Sequence, residues 1–217
     1  MMHMHEAVMT RRSIRSFKDD RIPEDRRKAL GDEISECNRE GGVSLQLITD
    51  NPGICDSFLG RSHRNVRNCV ALVGPSGREA DVAYYGARVM MLAQRLGLSS
   101  CWIALSFSKR KCGCSVGKGE RQFGIITLGY ADEDGKERST KTVEELSETD
   151  VPMPEWFARG MEYAQRAPTA MNRQRFRISL KDGKVSIDSS GMCADSNEGI
   201  VRYFFELGAG AGAFEWA

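Results

Sequence analysis

The chain has 217 residues, and its 41% hydrophobic content with 22 glycines is ordinary for a globular protein with a real core. Its 31 Lys and Arg balance 30 Asp and Glu for a net charge of +1, which argues against a nucleic-acid binder, whose basic excess is normally plain. No run of roughly 18 apolar residues exists, no apolar signal core follows Met1, and the seven cysteines are an odd count, so a cytoplasmic protein with reduced thiols and no membrane span is expected.

In chain order, residues 3–9 predict a short helix that runs into Arg11-Arg12-Ser13-Ile14-Arg15-Ser16-Phe17. Pro23-Glu24-Asp25 starts a helix that runs to about Asn38, and Gly41-Gly42 stops it. Residues 43–49 predict a strand, Asp50-Asn51-Pro52-Gly53 a turn, residues 54–60 a short helix and residues 69–73 a buried strand. Residues 81–96 give the strongest helix, with Ala83, Gly86, Met90, Ala93 and Gly97 along one face. Most of these are small, so a partner element should approach closely there. Residues 100–106 read as a strand or buried turn, 108–121 as an exposed loop and 123–128 as a strand. Charged residues 131–150 lead to a second helix, 155–166, opened by Pro154-Glu155. The turn Ala167–Gln174 precedes a hairpin over Asp182-Gly183. A short helix, 199–207, a Gly-Ala run at 208–212 and Phe214-Glu215-Trp216 close the chain.

Two segments overlay as degenerate copies of a helix–turn–strand unit. One runs from Pro23 to Asp50 and the other from Pro154 to Asp182, spans of 27 and 28 residues. Chance is the plain alternative, because such units are common.

Two stretches carry chemistry. Arg11-Arg12-Ser13-Ile14-Arg15 places three cations and a hydroxyl within five residues. In extended backbone Arg11, Ser13 and Arg15 share a face, a row suited to a phosphorylated ligand. A solvated basic segment is the bland alternative. In Ala167–Gln174, Pro168 ends the helix and Asn172 and Gln174 offer planar amides for a heterocycle edge or a ribityl chain; an ordinary capping turn is the alternative. The three histidines form no dyad and are expected on the surface. Cys112-Gly113-Cys114 lacks a second ligand pair for a metal and reads as two thiols in a mobile loop.

Together, the two stretches resemble the nitroreductase family of FMN-dependent oxidoreductases, with its Arg-x-Ser-x-Arg/Lys segment and its Ala-Pro-Ser-x-x-Asn-x-Gln-Pro turn. Leu96-Gly97-Leu98-Ser99-Ser100-Cys101-Trp102 and Phe123–Tyr130 are similar to the family's central-helix exit and its late strand. One departure stands out. The first helix ends in Asn38-Arg39-Glu40-Gly41-Gly42, and the asparagine turn comes only in the second segment, with Arg175 in place of the final proline. The chain therefore resembles the fused TM nitroreductase branch.

The resemblance implies an α+β fold, a mixed and mostly antiparallel sheet flanked by helices, arranged as an internal pseudo-dimer. Its repeats would be 1–149 and 150–217, interlocked in one unit. It implies FMN as cofactor, one per chain, with NAD(P)H as electron donor and a nitroaromatic, quinone or similar small molecule as acceptor in a ping-pong cycle. The chain would be a monomer, with a homodimer as the alternative. Cofactor contacts fall on Arg11, Arg12, Ser13 and Arg15, on Trp102 and Ile103 with the backbone to Ala104, and on Pro168, Thr169, Asn172 and Gln174. Arg138 or Lys141, and more weakly Arg64, are candidates for the phosphate. No side chain is needed as nucleophile, general acid or metal ligand. Rival readings are a protein of the same fold that binds flavin or another small ligand without turnover, as a redox sensor or storage protein, or binds nothing, and an anion- or nucleic-acid-binding module.

Overall fold

The computed structural model describes residues 1–56, 59–210 and 212–217. The first part contains α1 (Met4–Thr10), α2 (Glu24–Gly41), β1 (Gln46–Ile48), a 3-10 turn at Leu59–Ser62, β2 (Asn68–Pro75), α3 (Glu79–Arg95), β3 (Ser99–Ile103) and β4 (Glu120–Gly129). Then come α4 (Val143–Leu146), β5 (Ser147–Thr149), α5 (Glu155–Ala164), a 3-10 turn at Ala170–Asn172, β6 (Phe176–Lys181), β7 (Lys184–Ser189), α6 (Ala194–Ala209) and β8 (Glu215–Trp216). Pro23 and Pro154 stand immediately before the first residues of α2 and α5, as the helix-start pattern predicts. α2 ends at Gly42, whose left-handed backbone (φ 58°) lets its N–H return to the Asn38 carbonyl.

The strands form two four-stranded sheets, ordered β1-β2-β4-β3 and β5-β6-β7-β8. The first is wholly antiparallel; in the second, β5 runs parallel to β6 and β8 parallel to β7. The architecture is thus mixed and mostly antiparallel, with helices packed on it. Strand alternation divides the core. In β2, Val70 and Leu72 face the main cluster with α3 and α6, while Cys69, Ala71 and Val73 face a second cluster beneath the loops. Both faces of β2 are therefore dry.

Several boundaries shift from the sequence reading. β1 is shorter than 43–49, because the Asn38 side chain takes the Leu45 N–H and C=O out of strand pairing. Charged residues 131–150 contain α4 and β5, and α4 carries a Thr142–Glu145 capping box. The short helix expected at 54–60 includes two residues outside those described; the 3-10 turn sits at Leu59–Ser62. The expected glycine run 208–212 also includes one undescribed residue, and its first two residues belong to α6. α6 starts at Ala194, well before Gly199. That glycine is no helix boundary but the closest approach of α6 to α3: a Cβ there would lie 1.9 Å from the Ala80 carbonyl oxygen. Cys112 is fully buried, which corrects the expectation that both thiols of 112–114 lie in a mobile loop.

Among the described residues no helix is long and apolar enough to cross a membrane. Gly199→Ala should lower stability by about 2–3 kcal/mol, because the obstacle is backbone and cannot rotate away. Gly31→Ala, in α2 with nothing within 4 Å of a new Cβ, should be neutral or gain roughly 0.5–1 kcal/mol. Urea unfolding of the two variants tests the contrast.

Candidate functional site

A cleft of about 520 Å³ opens between the early arginine segment, the end of β3, residues 136–138, the 168–172 turn and the first turns of α6. The local fold explains each wall. After α1, residues 13–17 run extended beside β3: Ser13 bridges Ser100, and the Ile14 N–H donates to the Ser100 carbonyl at 3.0 Å. This places Arg12, Ser13 and Arg15 along the cleft next to Trp102, Ile103 and Ala104. Trp102 fits because α3 has Gly86 beneath it, where a Cβ would be 3.1 Å from the indole.

The opposite wall is the turn after α5. Met171, Asn172 and Gln174 all have positive φ (50°, 54° and 46°), a conformation that costs energy in non-glycine residues. Asn197 of α6, 4% exposed, holds this turn: its Oδ1 accepts the Ala170 N–H at 3.0 Å and its Nδ2 donates to the Met192 carbonyl. Asn172 Nδ2 donates to the Ser139 carbonyl at 2.9 Å, yet among the described residues its buried Oδ1 has no partner.

The electrostatics are one-sided. Arg11 is 2% exposed, and among the described residues its Nε and Nη1 have no acceptor. Burial pulls its pKa down to about 10. Arg138 is lowered to about 9, first by burial and then by the charges of Arg11, Arg166 and Arg12. Arg138 reaches the Ala167 and Gln165 carbonyls at 3.3 Å, while the buried Nε of Arg166 is also unpartnered. Among the described residues, none of these four arginines, nor Arg15, makes an ion pair. Buried cations without anions are costly. Such a cluster, with donors left open, has the chemistry to hold a polyanion. On the same wall His63 is half-buried, and burial followed by the charge of Arg15 lowers its pKa, so the imidazole is neutral at pH 7.

The structure brings together most of the residues singled out from sequence: Arg12, Ser13, Arg15, Trp102, Ile103, Arg138, Pro168, Thr169 and Asn172 line the cleft. Arg11 lies behind them. It caps α1 instead of starting the extended segment, so the expected Arg11–Ser13–Arg15 row begins one residue late. Lys141 and Gln174 are not brought to the cleft. The Gln174 Oε1 accepts the Lys141 N–H at 2.8 Å and the lysine ammonium donates to the Gln174 carbonyl, so the two clamp 141 to the end of α5. Arg64 is likewise outside, paired with Glu133 and donating to Ser16. His63 lines the cleft, against the expectation of a surface histidine. Arg166, Asn197 and Cys193 were not singled out from sequence. Arg166 directly precedes Ala167-Pro168, the one adjacency that could have flagged it.

The sequence profile of the family described as "Putative TM nitroreductase" matches residues 3–209. Among solved structures, a Thermotoga maritima protein described as a nitroreductase superposes with a TM-score of 0.67 at 18% identity, covering 95% of this chain and 83% of that one. A Parabacteroides distasonis protein described as an NADH dehydrogenase/NAD(P)H nitroreductase gives 0.52 at 15% identity, covering 67% and 97%. A Desulfovibrio desulfuricans nitroreductase in complex with FMN gives 0.51 at 16% identity, covering 71% and 99%. The fold is shared with all three. No curated protein matches the chain.

Inorganic phosphate should raise the Tm of the protein through the arginine cluster. Arg11→Met should raise the Tm measured without phosphate, since it removes a buried unpaired charge, and should shrink the phosphate-dependent rise. Thermal unfolding with and without phosphate reads both effects.

Proposed function

The chain belongs to the TM nitroreductase family, and on that premise we propose that it is an FMN-dependent oxidoreductase. The carrying observation is the arginine cluster around the buried Arg11, in which the Nε and Nη1 of Arg11 and the Nε of Arg166 have no acceptor among the described residues. A flavin mononucleotide needs a phosphate site at one end and an open wall for a flat ring at the other, and the cleft offers both. The orphaned Nε and Nη1 of Arg11 and Nε of Arg166 fit phosphate oxygens, and the orphaned Asn172 Oδ1 fits a ring or ribityl donor.

In this reading Arg11, Arg12, Arg138 and Arg166 hold the phosphate and Ser13 adds a hydroxyl donor. Pro168, Thr169 and Asn172 cover one side of the ring system, with Trp102 and the Ile103–Ala104 backbone on the wall opposite. When bound, FMN supplies reversible two-electron hydride chemistry; the chain binds, orients and tunes it. Arg15, which has no carboxylate partner, places a positive charge where the ring gains negative charge on reduction. His63, held neutral, adds no competing charge at pH 7.

Leu105, Met171 and Met192 are exposed apolar residues on the cleft. They leave a greasy approach for NAD(P)H as donor and then for a flat acceptor, a nitroaromatic, quinone or similar ring. The two segments 1–149 and 150–217 are proposed as degenerate repeats of an internal pseudo-dimer holding one flavin per chain. The matching orders α2–β1–β2–α3 and α5–β6–β7–α6 and the close α3–α6 crossing support this.

Fluorescence titration should saturate at one FMN per chain, and the complex should oxidise NADH or NADPH. Arg15→Ala should slow flavin reduction roughly 10- to 100-fold with little change in fold. Tight FMN binding without any NAD(P)H oxidation would favour a sensor or storage role; absence of FMN binding would remove the reading.

A further inference from the structure

Five of the seven cysteines gather on the loop side of the first sheet, and of these Cys101 also lines the cleft. Cys69 of β2, Cys101 of β3 and Cys112 of segment 104–119 are buried in one cluster, with Cys55 and Cys114 packed against it. Free cysteine is a small hydrophobe, so burial alone says little. The hydrogen bonding at Cys112 says more.

Gln122, 5% exposed, directs its Nε2–H at the Cys112 Sγ at 3.3 Å. The Cys69 Sγ lies 3.9 Å from the same sulfur. A neutral thiol is a poor acceptor and draws no such convergence of donors; a thiolate does. Consistently, the Cys69 thiol, Gln122 and Cys114 lower the Cys112 pKa to about 6 against burial, while the proton Cys69 gives to that bond pushes its own pKa up. The geometry sets two sulfurs face to face with the Gln122 amide donating to Cys112, which favours the thiolate there, the arrangement of a nucleophilic and a resolving cysteine.

We propose that Cys69 and Cys112 form a peroxide-responsive dithiol site, oxidised by hydrogen peroxide to a reversible disulfide. The Cys112 thiolate attacks one peroxide oxygen: an S–O bond forms, the O–O bond breaks, and the departing hydroxide takes a proton to become water. The Cys69 sulfur then attacks the Cys112 sulfenic acid: the S–S bond forms, the S–O bond breaks, and hydroxide leaves with the Cys69 proton as a second water. Two thiols and one peroxide give one disulfide and two waters. The sulfurs must close by about 2 Å to reach bonding distance. Cys112 is reached only by a small oxidant, since it is fully buried.

The consequence falls on the cleft. Segment 104–119 begins with Ala104, Leu105 and Ser106 on the cleft wall and is held at Cys112 by the Asn51 side chain. A disulfide fastens it to β2 as well. The site does not depend on the flavin reading, because Cys69, Cys112 and Gln122 do not line the cleft.

The test is peptide mapping of the full chain after brief hydrogen peroxide treatment and alkylation of remaining thiols under denaturing conditions. The expected result is a Cys69–Cys112 cross-linked peptide that dithiothreitol removes. Cys114→Ser should keep this link, and Cys69→Ser should accumulate a Cys112 sulfenic acid that dimedone traps. The wild-type map decides even if Cys69→Ser does not fold. Cys112 recovered as a free thiol, a Cys112–Cys114 link in its place, or a retained zinc ion that shields the thiols from peroxide would each overturn the proposal.

Discussion

Uncompensated positive charge is the constraint around which this molecule is organised. Four guanidinium groups cluster at one end of a cleft, Arg12 and Arg138 lining it and Arg11 almost wholly buried behind, and among the described residues none makes an ion pair with a carboxylate. Burying even one such group unpaired works against folding. In the function proposed here, a ligand completes the charge balance of that site. Stability surrendered at a binding site in this way is a familiar exchange for affinity.

The remaining architecture makes that arrangement affordable and positions its counterpart. The tight crossing at Gly199 docks α6 against α3, and Asn197 at the start of α6 then grips the strained 168–172 turn. The same turn follows directly on Arg166 and the carbonyls that Arg138 binds. Packing of two helices thereby fixes both the arginine end of the cleft and the Asn172 turn on its wall. On the other side, Ser13 and Ser100 tie the early arginines to β3 and to Trp102.

Much of this was legible in the sequence, because it is written in local chemistry. Pro23, Pro154 and Asp182-Gly183 mark their helix starts and hairpin turn without help from distant residues. Arg11–Arg15 and Ala167–Gln174 carry functional groups at high density, so two stretches remote in sequence could be joined on resemblance. What was not legible depends on distant partners. Gly199 reads as a helix boundary until the Ala80 carbonyl is seen against it. Gln174 and Lys141 look like ligands but satisfy each other. Arg166 and His63 gain meaning only from the charges that fold around them, and the burial of Cys112 from the strand it packs beneath.

The claim that the arginine cluster exists to take a flavin phosphate is tested most directly by comparing the affinities of FMN and riboflavin, which differ only in that phosphate. Charge-assisted hydrogen bonds contribute about 1.5–3 kcal/mol each, so two or more predict FMN binding at least ~100-fold tighter by calorimetry at moderate ionic strength. Equal affinity for the two would contradict the account.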